Sequence, residues 1–310
     1  MTLTKHPYAD DFYDVPAQKP AVSIALDRVG VHGQRVLLDV ADELFGGVRE
    51  LLCDARAEVS LAAGQRGIHM SRIEGAFVNA PGALPLAEIA SAIAREVRDT
   101  QTQESARVTL RAFAPLRTRT RVTGLASPDT VEVAAVAVAG PQPSAGLSLA
   151  ATNITACPCM QGYALSELVG ELGLSPDEGR RLMERVPIAT HSQKGRVRVE
   201  VTAPDAGRLP DYAFLHRLVD GQTTLTQELL KRPDEYDLVR RSHLRPQFVE
   251  DVVRGVAEGL ARGLAQSAAV LEGVELDVSA ESYESIHGHD ISARLRIPAT
   301  ALLADLSLLK

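Results

Sequence analysis

The chain has 310 residues, of which 45% are hydrophobic and 24% are charged, as in a folded soluble protein. Its net charge of -7 argues against a nucleic-acid-binding surface, and no apolar run reaches the roughly 20 residues of a membrane-spanning helix. Residues 1–20 contain several acids and no apolar segment, which predicts a flexible leader rather than a signal peptide. Three cysteines without an export signal favour a cytoplasmic protein whose thiols serve a metal ion or catalysis.

Residues 21–143 are predicted to form one unit of strands and helices. The apolar spacing of residues 84–98 indicates a helix, and alternating apolar residues indicate strands elsewhere. The predicted strands are residues 30–40, 57–61, 107–113 and 131–139. The segment Gly140-Pro141-Gln142-Pro143 predicts a loop, and we place the boundary between two units there.

Residues 144–310 are predicted to repeat this plan. Strands are expected at residues 147–154, 196–202, 274–279 and 291–297, with a charged helical insertion at residues 160–188. Two helices, at about residues 211–231 and 246–268, are separated by Arg232-Pro233, and the second carries an apolar stripe. Strands, then paired helices, then strands, occurring twice, predict an α+β fold of two units with helices on one face of antiparallel sheets.

A cysteine pair, Cys157-Pro158-Cys159, follows the strand predicted at residues 147–154. Two cysteines can simply be small buried residues, since free cysteine is among the most buried residue types. The proline between them stiffens the turn and sets the directions of the two thiols, which a metal ligand requires. His191 lies in a polar stretch before the next strand, where an ordinary surface histidine is the simpler interpretation.

The segment from Glu284 to His289 is harder to explain as packing. In a strand, His287 and His289 would share one face, and Gly288 between them would permit close approach of a ligand. A thiolate, imidazoles and a carboxylate are the donors of a Zn²⁺ or Fe²⁺ site rather than of Mg²⁺ or Ca²⁺. Such a mixed set is more often catalytic than structural, because it leaves room for water.

Three further segments carry weaker signals. Lys231 and Arg232 match the charge expected at a helix end, which leaves the nearby Glu235 without a structural explanation. Glu250 begins the following helix, where an acid is expected in any case. Residues 66–72 are basic and rich in hydrogen-bonding groups, so they can bind phosphate or form a solvated turn.

Six segments in this order resemble the type IB GTP cyclohydrolases, metal-dependent enzymes that open the purine ring of GTP. They are residues 66–72 (RGIHMSR), 155–159 (TACPC), 190–193 (THSQ), 230–235 (LKRPDE), 248–254 (FVEDVVR) and 284–290 (ESIHGHD). The resemblance extends over about residues 25–300. It implies the tunnelling fold with two units per chain, assembled as a homotetramer whose active sites lie where subunits meet.

The resemblance also implies roles for individual residues. It assigns the metal ligands to Cys157, His191 and Glu235, with Cys159 beside them and not separable from Cys157 by sequence. The metal would be one divalent ion per site, Zn²⁺, Fe²⁺ or Mn²⁺.

The remaining roles in the resemblance concern catalysis and the substrate. Glu284, His287 and His289 would be the catalytic groups, and Glu250 would hold the guanine through two hydrogen bonds. The residues expected near the triphosphate or ribose are His69, Ser71, Arg72, Lys231 and Arg232.

The implied reaction is hydrolysis of GTP at C8 of guanine by metal-activated water. Formate leaves, and a 7,8-dihydroneopterin phosphate forms for folate or another pterin. The family's usual His-Asn-Gln-Arg reads His191-Ser192-Gln193-Lys194 here, and lysine lacks the planar fork of arginine. The long insertion resembles the archaeal branch, whose members release a cyclic phosphate, so the product is either the triphosphate or the cyclic phosphate.

Two alternative functions are compatible with the sequence. The first is a tunnelling-fold enzyme of a specialised pathway that acts on a related purine nucleotide or a pterin. The second is a metal- or nucleotide-binding homologue without turnover, which would need the ligands but not Glu284 and His287.

Overall fold

The computed structural model describes residues 14–267 and 270–308. In these residues eight strands form one antiparallel sheet whose order follows the chain. They are β1 (Leu26–Asp42), β2 (Gly47–Leu61), β3 (Ala106–Arg119), β4 (Ala126–Ala139), β5 (Ser144–Ala156), β6 (Ser192–Ala203), β7 (Glu275–Ser282) and β8 (Ile291–Pro298). Every neighbouring pair is antiparallel, so at each end of the sheet strands that begin there alternate with strands that end there.

Alternating side chains give the sheet one apolar and one polar face. Along β2, every second residue from Leu51 to Val59 is buried, and those between them are mainly charged. Since successive side chains in a strand point to opposite faces, this pattern packs one face against helices and leaves the other charged.

Eight helices accompany the sheet in the described residues, and several of them cover its apolar face. They are α1 (Met70–Val78), α2 (Leu86–Gln101), α3 (Pro158–Leu172), α4 (Pro176–Arg185), α5 (Tyr212–Gln222), α6 (Arg232–Leu244), α7 (Val249–Gln266) and α8 (Ala299–Leu308). Helix α2 packs on β3 and β4, and α7 packs on β7 and β8. The predicted stripe of α7 is confirmed, because Val252, Val256 and Leu260 are all fully buried in the core.

The predicted α+β class, with helices on one face of an antiparallel sheet, is confirmed. In chain order, the first half has strands β1 to β4 with α1 and α2 between β2 and β3. The second half has strands β5 to β8 with α3 to α7 between β5 and β7. The two halves share one continuous sheet, since β4 and β5 pair directly from Val138 and Ser144 to Glu132 and Ala150. The segment Gly140-Pro141-Gln142-Pro143 is the turn between these strands, and the unit boundary placed there stays a prediction.

The helix predicted at about residues 211–231 is wrong in its second half. Helix α5 ends at Gln222, and residues 223–231 are extended. Arg232-Pro233 begins α6 instead of interrupting a helix, because proline lacks an N–H group and fits the first turn of a helix without loss. The extended segment forms hydrogen bonds with β5, which no local pattern reveals.

The predicted leader, residues 1–20, lies partly outside the described residues, which begin at residue 14. Its final part is attached to the fold: the N–H groups of Arg66 and Gly67 donate to the carbonyl oxygens of Gln18 and Pro16, at 2.9 and 3.1 Å. Within the described ranges, no helix is both long and apolar enough to span a membrane.

Candidate active site

Two predicted metal ligands lie side by side at one end of the sheet. The N–H of Cys157 donates to the carbonyl oxygen of His191 at 3.1 Å, and the Thr190 hydroxyl donates to the carbonyl oxygen of Cys157 at 2.9 Å. This contact continues the pairing of Ala156 with Ser192 at the end of β5 and the start of β6. The two residues therefore meet although helices α3 and α4 separate them in the chain.

The loop between β7 and β8 reaches the same place. The N–H of Tyr283 donates to the carbonyl oxygen of Lys194 at 2.9 Å, which extends the pairing of β7 with β6. Nδ1 of His191 lies 3.9 Å from Oε2 of Glu284 and 3.5 Å from the hydroxyl of Ser285. These neighbours are on the Nδ1 side of the ring, so Nε2 is the nitrogen available to a metal ion or substrate. Ser285 was not among the predicted site residues.

The three histidines of the site form a row. The ring centroids of His191 and His287 are 6.4 Å apart with the rings nearly perpendicular, and those of His287 and His289 are 5.4 Å apart with the rings stacked. The expectation that residues 287 and 289 lie in a strand is wrong, because the segment is a loop. The two imidazoles nevertheless face each other, and both are exposed.

Glu284 is the buried member of this group. Its side chain is 4% exposed, and Oε1 accepts a hydrogen bond from the Ser282 hydroxyl at 3.2 Å. Oε2 is buried and has no hydrogen-bond partner among the described residues. Oε1 of Gln193, on the adjacent β6, is also buried without a hydrogen-bond partner among the described residues. Since burying a polar atom without a partner is costly, these oxygens are suited to a group that the bound state supplies.

Glu250 lies at the same end of the sheet. The N–H of Gln247 donates to the carbonyl oxygen of Ala156 at 3.2 Å, so α7 begins beside the end of β5. Glu250 is the second residue of α7 and is exposed. The predicted guanine-binding carboxylate is therefore near Cys157 and available to a ligand.

Glu235 does not join the other two predicted ligands. It is an exposed residue of the first turn of α6, two helical turns (about 12 Å) before His243. The carbonyl of His243 accepts a hydrogen bond from Gln161, whose N–H donates to Cys157. Within residues 14–267 and 270–308, no three His, Cys, Asp or Glu side chains are grouped closely enough to bind one metal ion. The complete ligand set stays a prediction, and one chain supplies an adjacent pair, Cys157 and His191.

The other cysteines differ from Cys157. Cys157 precedes α3, and Cys159 is the exposed second residue of that helix. Cys53 is in the core of the sheet, where burial raises the pKa of its thiol to about 12. It is a packing residue and takes no part in the site.

The predicted phosphate-binding residues His69, Ser71 and Arg72 lie at the opposite end of the sheet, after the end of β2. A strand as long as the 13-residue β5 separates the two ends by about 40 Å. His69 Nε2 lies 2.8 Å from Oδ1 of Asp14, and this hydrogen bond lowers the pKa of Asp14. Arg72 donates to the carbonyl oxygen of Thr100 at 2.9 Å. Within one chain, these three residues and Cys157 therefore lie at opposite ends of the sheet.

Comparison with known proteins identifies the family. The family model described as type I GTP cyclohydrolase FolE2 matches residues 12–293. This chain belongs to the type I GTP cyclohydrolase family. The expectation drawn from the six sequence segments, a GTP cyclohydrolase of pterin biosynthesis, is confirmed.

Curated relatives of this cyclohydrolase include archaeal proteins named GTP cyclohydrolase MptA. That of Haloferax volcanii is 28% identical and covers 94% of this chain and 97% of its own length. That of Methanoculleus marisnigri is 29% identical with the same two coverages. Among solved structures, AgUricase and a uricase from Bacillus fastidious align over 90% of this chain, and over 94% and 96% of their own. Their TM-scores are 0.47 and 0.46 at 9% and 7% identity, which carries no information about function.

Proposed function

We propose that this cyclohydrolase is metal-dependent and hydrolyses GTP at C8 of guanine, releasing formate and forming a 7,8-dihydroneopterin phosphate. The observation that carries the proposal is that Cys157, His191 and Glu284 meet at one end of the sheet. Beside His191, the buried Oε2 of Glu284 has no hydrogen-bond partner among the described residues.

Cys157 and His191 are the residues that would hold the metal, completed by Glu235. Thiolate, imidazole and carboxylate donors suit Zn²⁺, Fe²⁺ or Mn²⁺, and such an ion supplies Lewis-acid activation of water. Glu284 and Ser285 flank Nδ1 of His191 and so keep Nε2 turned toward the ligand side.

Glu284, His287 and His289 would move the protons of the reaction. Hydrolysis at C8 requires a proton to leave water and another to reach a ring nitrogen of the purine. The buried Oε2 of Glu284 can accept the first, because nothing in the described residues competes for it. The rings of His287 and His289 continue the row that begins at His191, are exposed, and can exchange protons with solvent.

Glu250, Lys231 and Arg232 would bind the nucleotide. The carboxylate of Glu250 can accept two hydrogen bonds from the N1–H and the exocyclic amine of guanine. Lys231 and Arg232 are exposed cations immediately before and at the start of α6, suited to the phosphates.

We propose a homotetramer in which neighbouring chains complete each site. Two observations support this: no three His, Cys, Asp or Glu side chains are grouped as metal ligands among the described residues, and the cluster of His69, Ser71 and Arg72 lies at the other end of the sheet. In addition, β1 and β8 are the outer strands of the sheet and pair on one side only within the described residues. Open strand edges are natural places for a second chain to pair.

The direct test is anaerobic incubation of the protein with GTP and, separately, Zn²⁺, Fe²⁺ or Mn²⁺. Formate and pterin fluorescence are measured, and the mass of the product decides between the triphosphate and the cyclic phosphate. We expect formate and pterin in equal amounts with at least one of these metals. Formate without pterin would favour the specialised-pathway alternative, and neither product with any metal would favour a homologue without turnover.

A further inference from the structure

Residues 223–231 occupy a fork in the sheet. Beyond Glu132 and Ala150, β4 and β5 no longer pair, and the segment enters the gap. The N–H of Ile154 donates to the carbonyl oxygen of Thr224 at 2.9 Å, and the N–H of Thr226 donates to that of Thr152 at 3.0 Å. One edge of the segment is thus held by the backbone of β5.

The other edge is held by Asp129 of β4. This carboxylate is in a residue only 7% exposed, and it accepts from the N–H of Glu228 at 2.8 Å and the hydroxyl of Ser127 at 2.6 Å. It also accepts from Thr118 and Gln227. The Ser127 hydroxyl in turn accepts from the N–H of Leu229 at 3.1 Å, two residues before Lys231.

Asp234 holds the far end of the segment to the first half of the chain. It is 2% exposed and accepts from the N–H groups of Val122 and Thr123, both at 3.0 Å. It further accepts from the Thr123 hydroxyl at 2.6 Å and the N–H of Lys231 at 3.4 Å. Val122 and Thr123 form the tip of the β3–β4 hairpin.

This arrangement exceeds what a helix terminus needs. Asp211 caps α5 from an exposed position by a single local hydrogen bond to the N–H of Phe214. Asp234 is buried instead, and most of the hydrogen bonds it accepts come from the tip of the β3–β4 hairpin, 111 residues earlier in the chain. Burying a carboxylate is costly unless donors compensate its lost hydration, and here those donors come from the segment and from the hairpin, so both acids hold the segment in place.

We propose that Asp129 and Asp234 are positioning residues that fix Lys231, Arg232 and Glu235 for the reaction. The inference rests on the proposed function, in which these three residues bind phosphate and metal. Neither aspartate touches the substrate; each acts through the segment between them. The β3–β4 hairpin of the first half thereby sets the position of the binding residues of the second half.

A double-mutant cycle on one hydrogen bond tests the proposal. Asp234→Asn can replace the oxygen that accepts from the Thr123 hydroxyl and the N–H of Lys231 with an NH2 group, which cannot accept, and Thr123→Val removes the hydroxyl donor. Thr123 is exposed, so its variant folds even if the other does not. We expect each to raise KM for GTP roughly tenfold, and the double variant to add little, because the two residues share one interaction. Asp211→Asn is the control, since Asp211 is exposed and its side chain accepts a local hydrogen bond from the N–H of Phe214, with no contact to the β3–β4 hairpin among the described residues.

Amide hydrogen exchange of residues 223–235 gives a second readout that does not depend on activity. We expect faster exchange there in Asp234→Asn and Thr123→Val and no change in the control. If the wild type is active and both variants keep its KM and its exchange rates, the positioning inference is overturned while the proposed function stands. A wild-type protein that releases no formate would instead refute the proposed function, and the exchange data would still decide whether Asp234 holds the segment.

Discussion

Glu284 has one carboxylate oxygen that accepts a hydrogen bond from Ser282 and a second that is buried beside His191, with no donor in the part of the chain that the structure describes. A residue selected only for packing would not retain such an atom, because its desolvation is uncompensated. The same position explains a role in proton transfer, since an oxygen without a partner is free to accept a proton from a reacting molecule.

Replacing Glu284 with glutamine tests this role. We expect kcat for formate release to fall at least about 100-fold while KM for GTP changes little, because the amide keeps the size but cannot accept the proton. The matched control is Glu281→Gln, an exposed acid at the end of β7, which should retain full activity. Nucleotide processing at the wild-type rate in Glu284→Gln would show that this residue is not catalytic.

Asp129 links stability to pH at the residue scale. Burial opposes its ionisation, but hydrogen bonds from Ser127, Thr118, Glu228 and Gln227 outweigh burial and lower its pKa from 3.8. A lowered native pKa stabilises the fold above pH 3.8, and the stabilisation is lost as pH falls through the native value. We expect urea unfolding to show wild type more stable than Asp129→Asn near pH 7, with the difference shrinking in acid. A difference that grows toward low pH would contradict this assignment.

At the scale of elements, the insertion α3–α4 connects two adjacent residues that are predicted metal ligands, Cys157 and His191. Its helices pack where Gly179 of α4 meets Val169 of α3: a Cβ on Gly179 would lie 2.7 Å from Cγ2 of Val169. Gly170, also in α3, has open space around it. The packing of α3 against α4 therefore depends on a close contact at Gly179 and not at Gly170.

Paired substitutions measure that contact. Gly170→Ala should stabilise the hairpin by about 0.5–1 kcal/mol through the higher helix propensity of alanine. Gly179→Ala should gain less or become destabilising, because its methyl group must displace Val169. Amide exchange in α3 and α4 reports the difference, and equal stabilisation by both substitutions would show that the two helices do not pack this closely.

At the scale of the whole molecule, the sheet separates the predicted binding residues into two groups. Cys157, His191, Glu250 and Glu284 gather at one end, whereas His69 and its neighbours are at the other. An antiparallel sheet cannot bring its two ends together within one chain. Association of chains is the simplest way to unite the groups, and the homotetramer proposed above would have four times the mass of the 33.2 kDa chain.

Mixing two inactive variants tests this assembly. Cys157→Ser and Glu235→Gln should each abolish activity, and subunit exchange between them should restore about a quarter of the wild-type rate, as random pairing of chains allows. The control is a mixture of Cys157→Ser with His191→Ala, which should stay inactive because one chain supplies both residues. Restoration in the control, or none in the first mixture, would show that Glu235 does not act across a subunit interface.

Local patterns were sufficient for some of the regular elements. The apolar stripe of α7 and the alternation in β6 depend on residues a few positions apart, so the sequence alone predicted them. Residues 223–231 show where this fails. Their extended form comes from hydrogen bonds to β5 and to Asp129, which are contacts between distant parts of the chain.

The sequence by itself determined the family, the antiparallel α+β class and the kinds of donor atoms in the site, because these follow from residue identity, order and short-range periodicity. Only the tertiary structure decided which donors meet. Pairing of β5 with β6 brings Cys157 to His191, and pairing of β7 with β6 brings Glu284 to them. His69 lies at the other end of the sheet for the same reason, since strand order and direction set distances that no local pattern encodes.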